Sequence, residues 1–262
     1  HDGNDVRRVG EEGLYEMLVE DNAAAFADAQ FDEIVCTDPH SYNTFTHEYP
    51  EMADDFDYPV SHYTEVVERL VREGRLDVPA TLDRTVTYHD PCHLGRMNDV
   101  YEAPRELVRA TGATLAEMPR NRNDSFCCGG GGGGVWTEVE EEMKPSEERL
   151  REAVEDTDGD VEQFVVACPM CTTMFEDGRK TGGFEDDVEI VDLTAGGRGS
   201  RGGWGRRPGS TGGRPIGDRS GLIPSGRPHS PIQDGTGQSA KLPSTNVSRW
   251  LAGCVRCVLW IA

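Results

Sequence analysis

Short apolar strands alternate with helices along residues 1–194, and this order restricts the chain to few folds. Such an alternation predicts an α/β fold with a mostly parallel sheet. Functional side chains of parallel sheets gather at the carboxyl ends of the strands. The strand-like runs are Phe31–Thr37, Thr85–His89, Leu115–Met118, Gln163–Ala167 and Val188–Leu193, and the helix-like runs are Glu12–Ala27, His62–Leu76, Pro104–Ala110, Glu138–Glu155 and Met170–Gly178.

The segment Val35–Phe45 is repeated at Val165–Phe175, at an offset of 130 residues. Valine, proline and phenylalanine match in register, and both copies follow a helix and a strand and open a further helix. Two cysteines of the second copy correspond to Asp38 and Ser41 in the first. The repeat indicates duplication and predicts repeated Rossmann-like units.

The charge of the chain changes sign near residue 194. Residues 1–194 carry 16 Lys+Arg and 46 Asp+Glu, whereas the tail carries 10 and 2, within a total net charge of −22. The acidic excess excludes nucleic acid as the main partner, because a phosphate backbone needs a basic surface. Since only Lys144 and Lys180 are lysines in this part, we favour a halophilic protein over an ordinary acidic cytosolic one.

We therefore divide the chain into three parts. Residues 1–84 are expected to be the carboxyl-terminal part of a first, degenerate repeat, and residues 85–194 a complete second repeat. Residues 195–262 are rich in glycine, arginine and proline without an apolar period, so we predict a disordered tail. A reading frame that slips after Thr194 would explain this composition, and a natural basic tail is the alternative.

Three further features of the sequence concern its ends and its surroundings. The first residue is His1 and no signal pattern follows, which predicts a fragment or a processed chain. No run approaches the roughly 18 apolar residues of a membrane helix, so no direct membrane span is expected. Cys254 and Cys257 form a CxxC without a second pair of ligands nearby, and we expect no metal there.

Five cysteines form one pattern, and each follows or precedes a predicted element. Without a secretory signal, clustered thiols indicate metal or redox chemistry rather than disulfides. Five thiolates exceed the four ligands of tetrahedral zinc, and thiolates commonly hold iron–sulfur clusters. The glycines at 129–134 would let the backbone approach closely. The five are Cys92, Cys127, Cys128, Cys168 and Cys171.

This pattern resembles the CCG (cysteine-rich) domain of heterodisulfide-reductase-type iron–sulfur oxidoreductases. The likeness covers about residues 1–194 and is closest to the D-type branch of heterodisulfide reductases and to iron–sulfur subunits serving glycolate, lactate and glycerol-3-phosphate oxidation. It rests on the spacing of the five cysteines and on the segments HDPCHLGR, APREL, EMPRNR, SFCCGGGGG and ACPMCTTMFEDG.

The resemblance implies a noncubane [4Fe–4S] cluster held by all five cysteines. It also implies electron transfer between a partner dehydrogenase and a quinone or thiol/disulfide acceptor. The expected partners are a flavin dehydrogenase or a membrane quinone-linked subunit. The expected location is cytoplasmic, with membrane association through these partners.

The first repeat departs from the family pattern. Asp38 and Ser41 replace two cysteine ligands, and Cys36 lies two residues out of register. We therefore expect no second special cluster, which favours an electron-transfer subunit over a true heterodisulfide reductase.

Two other functions remain open for the cysteines. A strand followed by CPxC and a helix also presents the dithiol of glutaredoxin-like enzymes, and this needs only Cys168 and Cys171. A zinc-stabilised structural module would need four thiolates and no redox chemistry.

Several polar residues flank the cysteines. His89, Asp90 and His93 are cluster-proximal candidates that could tune the cluster or carry a proton, or could simply cap the loop. Arg120 and Arg122 could attract an anionic substrate. The six glycines lack the GK[ST] ending of a nucleotide loop. His40 and His47 have no partner pattern, so we expect surface or loop positions for them.

Overall fold

The structure, a computed structural model, describes residues 1–78, 80–136 and 143–193, together with the backbone of Val258–Ile261. Its strands are β1 (Glu33–Cys36), β2 (Val60–His62), β3 (Thr85–Tyr88), β4 (Thr114–Leu115), β5 (Gln163–Val166), β6 (Glu189–Asp192) and β7 (Val258–Ile261). Its helices are α1 (Asn4–Arg8), α2 (Glu12–Ala27), α3 (Pro39–Asn43), α4 (Tyr49–Met52), α5 (Tyr63–Arg72), α6 (Glu102–Ala110), α7 (Pro145–Glu155) and α8 (Pro169–Thr181).

The strands form two sheets in which every pairing is parallel. The first sheet has the order β2-β1-β7 and the second has the order β4-β3-β5-β6. Parallel neighbours need a crossover, and helices supply it between β1 and β2 and between β5 and β6. The expected α/β fold with mostly parallel sheets is confirmed.

The two sheets repeat the same strand pairing at an offset of 130 residues. Val35 of β1 lies beside Ser61 of β2, and Val165 of β5 lies beside Val191 of β6. A single offset therefore relates both strands and the helix between them in the two units. The boundaries near residues 84 and 194 stay a prediction.

The tail differs from expectation at one point. The backbone of β7 pairs with β1 on the side away from β2, just as β3 pairs with β5 on the side away from β6. The composition predicts disorder for these four residues, but Val, Leu, Trp and Ile favour extended backbone and here complete the edge of a sheet. The rest of residues 194–262, including Cys254 and Cys257, lies outside the described residues.

Two apolar cores hold the described units together. Alternate residues of β5 serve both cores: Val165 belongs to the core shared with β1 and β3, and Phe164 to the core under α7 and α8. Since both faces of β5 are covered, all four of its residues are buried, as is usual for parallel strands.

Several short elements are not predicted by the sequence pattern. β2 has only three residues, and Thr44–Glu48 is a π-helical turn between α3 and α4. α1 has no apolar period, and the carboxylate of the buried Glu48 anchors it by accepting hydrogen bonds from Arg7, at 2.8 Å, and Arg8. The helix expected at Glu138–Glu155 begins at Pro145, and residues 137–142 lie outside the described part.

Within the described residues, no helix is long and apolar enough to cross a membrane.

Candidate metal centre

The ends of two strands of the second sheet direct three of the five patterned cysteines toward one place. Cys92 follows the carboxyl end of β3, and Cys168 follows that of β5. Cys168 is the N-cap of α8, which begins with Pro169, so Cys171 lies in the first turn of that helix. The pair at 127 and 128 comes from the loop after a 3₁₀ turn, Arg122–Asp124, and faces the same strand ends.

The five thiols form one continuous chain of contacts. Cys92 and Cys127 are joined by a thiol hydrogen bond, as are Cys127 and Cys128. The Sγ atoms of Cys128 and Cys171 are 3.5 Å apart, and Cys171 also hydrogen-bonds Cys168. All five cysteines singled out in the sequence therefore meet, although three separate segments supply them. Cys36 is buried in β1, outside this chain of thiols.

Thiol contacts divide the cysteines into good and poor acids. Hydrogen bonds from Cys128 and Cys92 lower the pKa of Cys127, and the backbone N–H of Gly129 lowers it further. A hydrogen bond from Cys171 lowers the pKa of Cys168 to about 6, with a second contribution from His40. Donation to Cys127 raises the pKa of Cys128 to about 12. Two of the five thiols are therefore held in the thiolate form, which is the form that binds metal.

The glycine run wraps its backbone around the cysteine pair. The N–H groups of Gly129 and Gly130 donate to the Sγ atoms of Cys127 and Cys128, at 3.3 and 3.5 Å. A Cβ on Gly130 would lie 2.9 Å from Met174, and one on Gly134 would lie 2.1 Å from the carbonyl oxygen of Gly129. Close backbone approach thus requires glycine at position 134, and packing of the Met174 side chain favours it at position 130.

The three polar candidates next to Cys92 have different surroundings. His89 is completely buried and packs against Phe164 and Phe175, and burial lowers its pKa well below the usual range. Neither ring nitrogen of His89 has a hydrogen-bond partner among the described residues. Asp90 is buried against Arg105. The Nδ1 atom of His93 lies 3.3 Å from the Cys92 sulfur, and burial lowers its pKa to about 4.

The first repeat reaches the same site, which the sequence did not indicate. His40 is 6% exposed, hydrogen-bonds Cys168 and lies against the His93 ring at a tilt of 33°, with 4.1 Å between ring centroids. The expectation of a surface or loop position for His40 is therefore wrong, because the first repeat's α3 packs against the second repeat. The ligand atoms of Asp38, His40 and Cys168 lie within 4.8 Å of one another. His47 is exposed, as expected.

The two arginines before the cysteine pair are held by carboxylates. Arg120 pairs with Glu148 and Glu152, at 3.0 and 2.9 Å, and Arg122 pairs with Glu102 at 2.8 Å. These ion pairs give both arginines a structural role and do not favour capture of an anionic substrate.

Comparison with known proteins agrees with this arrangement. Residues 86–176, which contain all five cysteines, match the cysteine-rich domain family called CCG. The matched segment runs from β3 into α8, the elements that bring the five thiols together. The resemblance stated from the sequence is confirmed.

Three relatives extend beyond the CCG domain. The chain is 39% identical over 194 residues to the "Probable iron-sulfur-binding oxidoreductase FadF" of Bacillus subtilis. This alignment covers 73% of the chain and 26% of the relative. The chain is 38% identical over 197 residues to the "EtfAB:quinone oxidoreductase" of Syntrophomonas wolfei, covering 73% and 27%. It is 36% identical over 143 residues to the D-type subunit of the dihydromethanophenazine:CoB–CoM heterodisulfide reductase of Methanosarcina acetivorans, covering 54% and 34%. The chain thus spans about a quarter to a third of the length of these relatives.

The residues present fit an iron–sulfur group. The donors are five soft thiols, and the backbone N–H groups of Gly129 and Gly130 donate to the sulfur atoms of two of them. His89 offers an N–H without a partner among the described residues, and it lies close enough to Cys127 to interact with that thiol. Hydrogen-bond donors beside the sulfur atoms are typical of such sites.

Proposed function

We propose that this chain is an iron–sulfur oxidoreductase subunit that binds one [4Fe–4S] cluster and passes electrons between a partner dehydrogenase and a quinone or thiol/disulfide acceptor. The observation that carries the proposal is the continuous contact among five thiols at the carboxyl ends of two parallel strands. The proposed ligands are Cys92, Cys127, Cys128, Cys168 and Cys171.

A bound cluster would supply reversible electron storage, and the chain would set the potential at which it works. Potentials of iron–sulfur clusters depend on net charge, burial and hydrogen bonds to sulfur. Gly129 and Gly130 donate to ligand sulfur atoms, and the neutral His89 adds no charge to the buried side of the site.

One cluster is proposed rather than two. Asp38 and Ser41 occupy in the first repeat the places of Cys168 and Cys171, and the Asp38 carboxylate caps α3 by accepting from the Ser41 N–H at 2.9 Å. Both side chains are engaged in structure, and oxygen ligands suit iron–sulfur clusters poorly. The first repeat instead supplies His40 to the surroundings of Cys168.

The partners follow from the proposed electron path. We propose a flavin dehydrogenase or a membrane quinone-linked subunit, and a cytoplasmic location with membrane association through that partner. A relative named as a quinone oxidoreductase and another named as part of a heterodisulfide reductase support the two types of acceptor.

Anaerobic reconstitution with iron and sulfide tests the proposal. We expect a brown protein with about four irons and four sulfides per chain and an EPR signal in one redox state. Cys92→Ser and Cys127→Ser should lose most of the iron. Cys36→Ala is the matched control, because Cys36 lies in β1 outside the thiol chain, and it should load like the wild type. A colourless protein that retains one zinc through four cysteines would contradict the proposal and support a structural module.

The glutaredoxin-like alternative makes a different prediction from the same variants. Its attacking thiol has to meet a disulfide substrate, yet Cys168 is 0% exposed and Cys171 is 2% exposed. Metal-free disulfide reductase activity that survives Cys92→Ser and Cys127→Ser but not Cys168→Ser would establish this alternative.

A further inference from the structure

The guanidinium of Arg105 is completely buried and uses all five of its N–H donors. Two donate to the Asp90 carboxylate, at 2.6 and 2.8 Å, and two to the Glu117 carboxylate, at 2.7 and 3.0 Å. The fifth donates to the carbonyl oxygen of Tyr101 at 2.8 Å. Arg105 belongs to α6. Through its side chain this helix binds both the loop after β3, at Asp90, and the segment after β4, at Glu117.

Asp90 connects Arg105 to both loops that hold the proposed ligands. It lies two residues before Cys92, and its Oδ2 atom accepts the backbone N–H of Arg122 at 2.7 Å. Its carbonyl oxygen accepts from the hydroxyl of Ser125 at 3.1 Å. Arg122 and Ser125 both belong to the segment that leads into Cys127.

A second contact joins the same two loops from the other side of Cys92. The side chain of Arg96 donates to the carbonyl oxygen of Ser125. Residues before and after Cys92 therefore both bind Ser125, which is itself two residues before Cys127.

We propose that Arg105 is a positioning residue that fixes the Cys92 loop relative to the Cys127-Cys128 loop through Asp90. The inference rests on the proposed function, because it gives Arg105 a task only if these cysteines share a metal group. All five N–H donors of Arg105 go to Asp90, Glu117 and Tyr101, and none goes to a thiol. Arg105 therefore acts on the cysteines through Asp90 and the loop backbone.

The fork of Arg105, and not its charge alone, carries this role. A lysine offers three donors on one nitrogen and cannot bind two carboxylates edge-on while reaching a carbonyl oxygen. Arg105→Lys keeps the positive charge beside Asp90 but breaks the planar arrangement. It therefore separates positioning from simple charge compensation.

The test compares Arg105→Lys with two controls on the same helix. Val108→Ala removes apolar volume from the core at a fully buried position without touching the arginine, and Arg109→Gln removes an exposed arginine that pairs with Glu106. Reconstituted proteins are challenged with an iron chelator, and their EPR spectra are recorded. Iron-free proteins are compared by hydrogen exchange of the peptides covering 90–97 and 119–128.

We expect Arg105→Lys to lose iron about 10- to 100-fold faster than wild type, as is typical for partners behind the ligands. Its EPR line shape should change, and both loop peptides should exchange faster in the iron-free protein. Val108→Ala and Arg109→Gln should keep the wild-type spectrum.

Two outcomes would overturn the inference or its basis, and they can be told apart. Arg105→Lys and Val108→Ala are compared at matched stability. If the two variants have the same EPR spectrum, the same hydrogen exchange in the loop peptides and the same rate of iron loss, Arg105 has only a general structural role. If the wild type itself takes up no iron, the proposed function fails. In that case faster hydrogen exchange of the two loop peptides in iron-free Arg105→Lys would still show that Arg105 and Asp90 hold these loops together.

Discussion

Single residues at the candidate metal centre gain their properties from neighbours that are distant in sequence. His40 lies 128 residues before Cys168, yet it hydrogen-bonds that thiol and helps to lower its pKa to about 6. His89 lies three residues before Cys92, but the rings of Phe164 and Phe175 surround it and keep it neutral. Sequence spacing therefore identified the thiols, while their acidity depends on packing.

Removal of His40 should make Cys168 a weaker acid. In metal-free, anaerobic protein, the thiolate absorbance near 240 nm should contain a step near pH 6 that is missing in Cys168→Ser. Below that pH the thiol is protonated, and above it the thiolate is held by Cys171 and His40. In His40→Ala the step should move up by about one pH unit, since a donor to a charged group is lost.

The exposed His47 provides the control for this titration. His47→Ala should leave the step in place, because His47 contacts Asn98 and not the thiols. An unchanged step in His40→Ala would show that the hydrogen bond to Cys168 does not determine its acidity.

At the scale of elements, the strand ends and the glycine loop decide where the five thiols meet. β3 and β5 are parallel neighbours, so Cys92 and Cys168 emerge at the same edge of the sheet. The glycine loop then brings a third segment against them, with Gly129 at a φ of +86° that favours glycine.

The glycines differ in how much they matter, and a pair of variants tests this. In Gly134→Ala, the new Cβ would lie 2.1 Å from the backbone oxygen of Gly129, so the loop has to open. We expect iron content after reconstitution to fall to a small fraction of the wild-type value. Gly131→Ala meets nothing within 4 Å and should load normally. Equal iron content in the two variants would contradict the view that close backbone approach shapes the site.

At the scale of the whole molecule, acidic charge is distributed over both repeats. Residues 1–194 have 30 more acidic than basic residues. Several basic side chains form ion pairs with carboxylates near them in the sequence. Arg151, for example, pairs with Glu148 and Glu155 on α7. Such pairs leave most carboxylates unneutralised, so the native state repels itself in dilute buffer.

Salt should therefore stabilise the protein. Between 0.1 and 2 M potassium chloride, we expect Tm to rise by about 5 °C or more, because screening weakens repulsion among exposed carboxylates. Differential scanning calorimetry of the metal-free protein measures this directly. Chloride is used instead of sulfate to limit the general stabilisation that excluded salts provide. A Tm that falls with salt would refute the halophilic interpretation.

Much of the fold could be predicted because its signals are local. Apolar runs such as Gln163–Ala167 and the amphipathic pattern of α5 identify elements directly, and the repeat at 130 residues predicted equivalent units. Short elements such as β2 carry too few residues for a period, and α1 depends on a distant carboxylate, Glu48. Those elements exist because tertiary contacts stabilise them.

The sequence by itself determined the five thiols, the α/β order of elements and the acidic character, because each is written in residue types and spacing. The tertiary structure decided that His40 belongs to the site and which thiols are acidic. It also decided that Arg105 binds the loops of the site to one another. These properties arise from burial and from hydrogen bonds between residues that only the folded chain brings together.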